Sequence, residues 1–287
     1  MADTIRDLVE EELTQPVDPR VAAMAADIAA EYGAASRAVL FYGSCLRESQ
    51  LDGLMLDFYL IVSDYRAAYG KRWLAGANSL IPPNVFPFQH DGLMAKYAVL
   101  SEADFHRLNG PETRNVSVWA RFAQPSRLVW SSGRDAADRA VTAVSRAAPT
   151  LLAAAGRIEG EAPLDWWRRA FALTYSVELR AERKGRAGSV VDADAQRYQR
   201  FSEPAIAAIE PGAMAGGWGR RRIEGKLLSV ARLAKASATY AGGAEYIAWK
   251  INRHAGTDIQ LSEWQKRHPL LTAISLLPQL LKSGAIR

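Results

Sequence analysis

Hydrophobic and polar positions along this chain keep two rhythms. Short, dense apolar runs closed by glycine or polar residues fall between residues 38 and 100, and apolar residues at helical spacing occupy most of the chain beyond them. Residues 3–13 and 19–35 read as helices, the second Ala-rich with Gly33 near its end. "AVLFYG" (38–43) predicts a strand, and "LMLDFYLIV" (54–62) predicts a second one terminated by "SDY". Residues 66–80 read as a helix, and "IPPNVFP" (81–87) reads as an irregular loop forced by its three prolines. A third strand is predicted at "GLMAKYAVL" (92–100), before a helix opened by "SEADFHRL" with Ser101 as its cap and Asp104 three residues on. Residues 115–130 fit neither period. Residues 135–155 and 164–184 are Ala-rich or amphipathic helices, so the chain beyond residue 134 reads as mostly helical.

This order predicts an α/β fold: residues 1–134 with a small mixed sheet, a mainly helical domain over 135–217, and basic helices over 218–287. The second boundary falls in "EPGAMAGGWGRRR" (210–222), where glycines give way to a basic cluster. Charge sharpens that division. The chain carries a net +5, yet from Trp218 onward 12 Lys and Arg stand against 4 Asp and Glu. The basic excess suits an anionic partner, lipid or nucleic acid, or else a solvated face with no partner. The single cysteine, Cys45, excludes an internal disulfide framework and a multi-cysteine zinc site, and it fits a reducing compartment. The acidic start "MADTIRDLVEEELTQP" lacks the basic-then-apolar profile of a secretory signal. No stretch reaches the roughly 18 consecutive apolar residues of a membrane span. The expectation is a soluble or peripheral protein.

Candidate chemistry begins where the first predicted strand ends. Gly43-Ser44 is followed by twelve residues (45–56) and then by Asp57, near the start of the next strand. Glycine lets a phosphate approach the backbone, where the Ser44 hydroxyl and nearby amides can donate to it. An acid beside such a pocket can hold a Mg²⁺ bridging the same phosphates. The same residues also read as a plain turn and a surface acid. The arrangement resembles the nucleotidyltransferase fold shared with DNA polymerase beta, whose signature ends in Asp-x-Asp/Glu; here Tyr59 stands in place of the second acid.

Downstream, Lys96-Tyr97 lies on the third predicted strand. Taken together, "YGS", "LDFYLIV" and "KYAVLS" resemble the peripheral, mitochondrial-type phosphatidate cytidylyltransferases (CDP-diacylglycerol synthases), in which the second acid is likewise missing at this spacing. Ala98 departs from that family's glycine. "WARFAQP" (119–125) and "TYSVELR" (174–180) are looser matches, keeping Arg121, Pro125 and Arg180. The resemblance implies transfer of a cytidylyl group from CTP to phosphatidic acid with release of pyrophosphate. It further implies that Gly43, Ser44, Lys96 and Arg121 hold the nucleotide, and that Asp57 binds Mg²⁺. Asp52, Asp91 and Glu178 are candidates for a second metal ligand.

Each assignment has a plainer counterpart. Lys96 also fits a solvent-facing strand residue, Glu178 and Arg180 a helical ion pair, and His90 a surface-loop histidine. Cys45, next to Ser44, offers a thiol whose modification would block the site. For the lipid, "HPLLTAISLLPQLL" places Leu270, Ile274, Leu277 and Leu281 at helical spacing near Lys266, Arg267 and Lys282, with Trp249 and Trp264 as interfacial anchors or ordinary core. The expected location is cytoplasmic, peripheral on the inner face of the membrane. Alternatives are a nucleotidyltransferase with another acceptor, whether a small molecule, protein or RNA, and a non-catalytic nucleic-acid-binding or regulatory protein; nucleic acid is the less favoured partner.

Overall fold

The three predicted apolar runs form the middle of a mixed sheet. The computed structural model of the protein describes residues 3–47, 51–177, 190–213, 215–239 and 262. Its strands are β1 (Ser36–Tyr42), β2 (Met55–Val62), β3 (Asn84–His90), β4 (Leu93–Ser101) and β5 (Ser126–Ser131), in the order β3-β4-β2-β1-β5. β2 and β4 run parallel and every other pair is antiparallel. Helices α1 (Ile5–Leu13) and α2 (Pro19–Ala30) precede the sheet, and α3 (Tyr65–Ala68) and α4 (Arg72–Leu80) lie between β2 and β3. α5 (Glu102–Asn109) and α6 (Trp119–Phe122) separate β4 from β5. After β5 come α7 (Arg134–Ser145), α8 (Ala147–Ala155), α9 (Pro163–Tyr175), α10 (Ala195–Ala207) and α11 (Trp218–Thr239).

Because β2 is central, it is buried on both faces and reads as a nearly continuous apolar run. Leu56, Phe58 and Leu60 pack with Val39 and Phe41 against α2. Tyr59 and Ile61 point the other way, with Leu40, Ala98 and Leu100, into the core built by α1 and the helices from α5 to α10. The period of two thus assigns Asp57 to the same face as Tyr59 and Ile61.

Two strands correct the sequence reading, and both are sheet edges. The proline-rich segment expected to be a loop contributes β3, with Pro87 paired to Lys96 in register. An edge strand tolerates proline because one row of its N–H groups belongs to no ladder. The stretch that fitted neither period contributes α6 and β5, the latter paired to β1. The expected helix over 66–80 breaks into α3 and α4, and the one over 135–155 divides at Arg146. The C-terminal part of the helix expected over 164–184, the Leu-rich segment at 268–284, Trp249, Trp264, Glu178 and Arg180 lie outside the described residues. No helix among the described residues is long and apolar enough to cross a membrane.

α1 is fastened to α10 by an ion pair withdrawn from water. Arg197 Nη2 donates to Glu12 Oε1 at 3.0 Å, and the two side chains are 8% and 10% exposed. The guanidinium also lies over the Phe201 ring, 4.1 Å from its centre. Removing one partner leaves the other charged and buried. Glu12→Ala should therefore lower the unfolding free energy by about 3–5 kcal/mol in urea denaturation, whereas Glu11→Ala, at an exposed pair, should cost at most about 1 kcal/mol.

Candidate active site

Strand register brings the candidate residues together. Tyr42 on β1 pairs with Asp57 on β2, and Asp57 pairs with Lys96 on β4. The three side chains form one row across the sheet on the face that carries Tyr59, Ala98 and Leu100. Lys96 Nζ lies 2.9 Å from Asp57 Oδ1, and both side chains are about three-quarters buried, at 27% and 24% exposure. Oδ1 is buried and receives no well-aligned hydrogen bond from the described residues, so the contact is chiefly coulombic.

Gly43 ends β1 with φ +98°, a conformation that L side chains rarely adopt. A Cβ at this position would lie 3.5 Å from Asp57 Oδ2. The carboxylate therefore faces the bare Cα of the glycine. Ser44 begins a short 3₁₀ turn, Ser44–Arg47, with its side chain exposed. Cys45 turns inward instead, buried in the core on the α2 face with Sγ 3.5 Å from the Met55 carbonyl oxygen. A reagent reaching Ser44 would not reach this thiol without opening that core.

Beneath the row lies an aromatic floor. The Tyr42 and Tyr59 rings are 5.2 Å apart, and Phe122 of α6 lies 5.2 Å from Tyr59 and 5.9 Å from Tyr42. Burial pushes the Tyr42 hydroxyl well above its usual pKa, the Asp57 charge adds to this, and a hydrogen bond from Arg121 opposes it. Tyr42 therefore stays a neutral phenol at physiological pH. Arg121 also donates to the backbone carbonyl of Ser117, so its guanidinium is tied to the floor of the row. Tyr42 escaped the sequence reading, although its place beside Gly43 and the period of two were signals enough.

Of the candidate second ligands within the described residues, Asp52 and Asp91 are not brought to Asp57. Asp52 pairs with Arg20 of α2 at 3.3 Å. Asp91 has φ +46° at the tip of the β3–β4 hairpin, five residues from Lys96 or roughly 17 Å along an extended strand. His90, near that tip, pairs with Asp27 of α2. No cluster of three or more His, Cys, Asp or Glu side chains suited to a metal occurs among the described residues. Asp57 nonetheless suits Mg²⁺, which is often bound by one or two carboxylates and completes its shell with substrate phosphates and water. A cationic group, Lys96, already sits on its buried oxygen.

A scan against protein-family models finds no match to this chain, and a search of curated proteins finds none either.

Tyr59 is buried in the aromatic floor at 3% exposure, so a carboxylate there would sit among rings rather than beside a metal. Tyr59→Asp should destabilise the protein by about 3–5 kcal/mol through lost packing and a buried acid. Thermal and urea denaturation would measure this, and Mg²⁺ should not rescue it.

Proposed function

We propose that the protein is a nucleotidyltransferase that transfers a cytidylyl group from CTP to phosphatidic acid at a membrane surface, giving CDP-diacylglycerol and pyrophosphate. One observation carries the reading. A carboxylate and an ammonium group meet at 2.9 Å on neighbouring central strands, facing a positive-φ glycine at the end of a third. That combination suits a polyphosphate: open backbone for close approach, positive charge to neutralise it, and a carboxylate for its metal. The mixed α/β sheet agrees with a nucleotidyltransferase fold, and the resemblance of "YGS", "LDFYLIV" and "KYAVLS" points to the cytidylyltransferase branch.

In this mechanism a phosphate oxygen of the lipid attacks the α-phosphorus of CTP. The new P–O bond forms as the bond to the bridging oxygen of pyrophosphate breaks, and pyrophosphate leaves with the electron pair. Catalysis is then mostly positioning and charge neutralisation. Gly43 admits the triphosphate to the backbone, and Ser44 donates its exposed hydroxyl. Lys96, a compact charge on a flexible stem, neutralises phosphate oxygens beside Asp57. Arg121, held by Tyr42 and Ser117, keeps the phenol oriented and adds positive potential beneath the row. Asp57 would hold Mg²⁺, which supplies further neutralisation of the phosphates. A phosphomonoester dianion needs no general base, in keeping with a carboxylate committed to cations.

α11 supports contact with a membrane. Ile223 and Leu227 are exposed at 65% and 66%, one helical turn apart. Arg220, Arg222 and Lys226 are exposed around them. Apolar side chains flanked by cations suit the interface of an anionic bilayer.

Purified protein with Mg²⁺ should release pyrophosphate only when CTP and phosphatidic acid micelles are both present. Asp57→Ala should lower that rate by about 10²–10³-fold, the worth of a metal-binding carboxylate to charge stabilisation. Release with a nucleotide but without lipid would assign a different acceptor, and failure to release pyrophosphate from any nucleotide would overturn the enzyme reading. In a separate vesicle flotation assay, Ile223→Asp combined with Leu227→Asp should weaken binding to phosphatidate-containing vesicles by about tenfold or more, the scale of two lost apolar anchors.

A further inference from the structure

Helix α4 has an inner side tied to the sheet and an outer side turned to water. The buried Asn78 side chain donates from Nδ2 to the Val99 carbonyl of β4 at 2.9 Å and to the Tyr69 hydroxyl at 3.2 Å, and the Asn84 side chain donates to the Leu74 carbonyl at 3.2 Å. These bonds fix how the helix is turned. Trp73 and Leu80, two turns apart on its outer side, are 53% and 80% exposed, with exposed Gly76 between them. The segment that follows α4 is held by α11. Arg232 donates from Nε and Nη2 to the Pro82 carbonyl at 3.0 and 2.7 Å, and from Nη1 to the Ser117 hydroxyl at 3.0 Å. Lys235 donates from Nζ to the Pro83 carbonyl at 2.7 Å and to that of Ile81. α4 is thus joined to the helix that exposes Ile223 and Leu227.

Charge singles out the same helix. Arg66 of α3 and Lys71 and Arg72 at the start of α4 are exposed, and none of the three pairs with a carboxylate among the described residues. Elsewhere exposed arginines do find one: Arg107 pairs with Asp104, Arg139 with Asp135 and Arg200 with Glu11. The one acid between residues 63 and 83 is Asp64, whose carboxylate accepts from the Arg66 and Ala67 amides at the start of α3. Lys71 and Arg72 also stand at the positive end of the α4 dipole, where cations weaken a helix, so the stability of α4 does not account for them. An anionic bilayer suits the whole set. Trp favours the headgroup level, an exposed Leu gains by reaching the acyl boundary, and unpaired cations are drawn to anionic headgroups.

We propose that α4 is a second membrane contact, with Trp73 and Leu80 in the interface of an anionic bilayer and Arg66, Lys71 and Arg72 over its headgroups. The choice of lipid as occupant rests on the reading of the protein as one that works at a membrane. It does not rest on nucleotide chemistry, since α4 contributes no residue to the Asp57–Lys96 site. Because α11 is bonded to the segment after α4, engagement of either helix raises the effective concentration of the other at the surface. Binding by both then exceeds what one gives alone. Salt weakens the part that the cations supply and leaves the apolar part.

Flotation of the full chain with phosphatidylcholine vesicles, with and without phosphatidic acid, tests the contact without any turnover. Trp73→Asp combined with Leu80→Asp should weaken binding by about tenfold or more. Lys71→Gln combined with Arg72→Gln should weaken it by about tenfold, on vesicles containing phosphatidic acid and at low salt only. All four side chains are exposed, so melting temperatures should stay within about 2 °C of the unaltered chain. Fluorescence gives a second readout: brominated lipids should quench Trp73, and Trp73→Phe should remove part of the quenching seen in the unaltered chain. Full vesicle binding by the Asp pair, or equal quenching in Trp73→Phe, would overturn the proposal. If Ile223→Asp with Leu227→Asp alone abolished binding, α11 would stand as the membrane contact without α4. Self-association of the unaltered chain in sedimentation, lost in the Asp pair while vesicle binding stayed intact, would assign this face to a second copy instead. No vesicle binding by the unaltered chain would sink both this contact and the membrane reading. Binding as expected by protein that turns over no nucleotide would leave α4 standing and sink the enzyme reading alone.

Discussion

The candidate active site of this molecule depends on a lateral register. Side chains directly opposite on neighbouring strands come within contact distance, and the pairing of β1, β2 and β4 puts Tyr42, Asp57 and Lys96 into one such row. A slip of one residue in β2 would send Asp57 into the apolar layer under α2 and Phe58 toward the row. That slip is opposed by cores on both faces of the strand, since every residue from Phe58 to Val62 is buried. The charge pair is therefore positioned by apolar packing, and its own attraction contributes little to holding the strands together.

The same separation of tasks recurs in the helices. The aromatic floor of Tyr42, Tyr59 and Phe122 supports the row from beneath, and Arg121 reaches that floor from the short helix α6. α11 has an inner side fixed to the rest of the chain. Arg221 is buried and bonds to the Thr113 and Arg114 carbonyls, and Gly225 lies so close to Val177 that a Cβ would meet Val177 Cγ1 at 2.3 Å. Its opposite side presents Ile223 and Leu227 to the exterior. One helix thus offers a bonded face to the sheet and an apolar, cation-flanked face outward.

How much of the fold is legible in the amino-acid sequence depends on where each element sits. The three central strands announce themselves because burial on one or both faces demands apolar residues, and their glycine and polar terminators are local signals. β3 and β5 are edges and only partly covered. Pro87 interrupts the first, and the second is half-exposed along its length after Ser126, so neither shows a clean period. Gly43, Asp57 and Lys96 are legible by type and spacing, and strand pairing brings them to one place. Ser117, Arg232 and Lys235 carry no such signal. Arg232 meets Ser117, and Lys235 meets the carbonyls of Ile81 and Pro83, only through folding across more than a hundred residues of chain, and no local pattern records that distance.

Pro87 has a consequence for the company the protein keeps. A sheet edge invites another chain to add itself as a further strand, and that risk grows where molecules crowd on a surface in two dimensions. At the middle of β3 the outermost strand exposes a ring with no N–H to offer. An incoming strand would find its ladder interrupted beside the register position of Lys96. The residue that disguised β3 as a loop thereby leaves a strand added at this edge short of a backbone donor, which works against copies of the chain joining edge to edge.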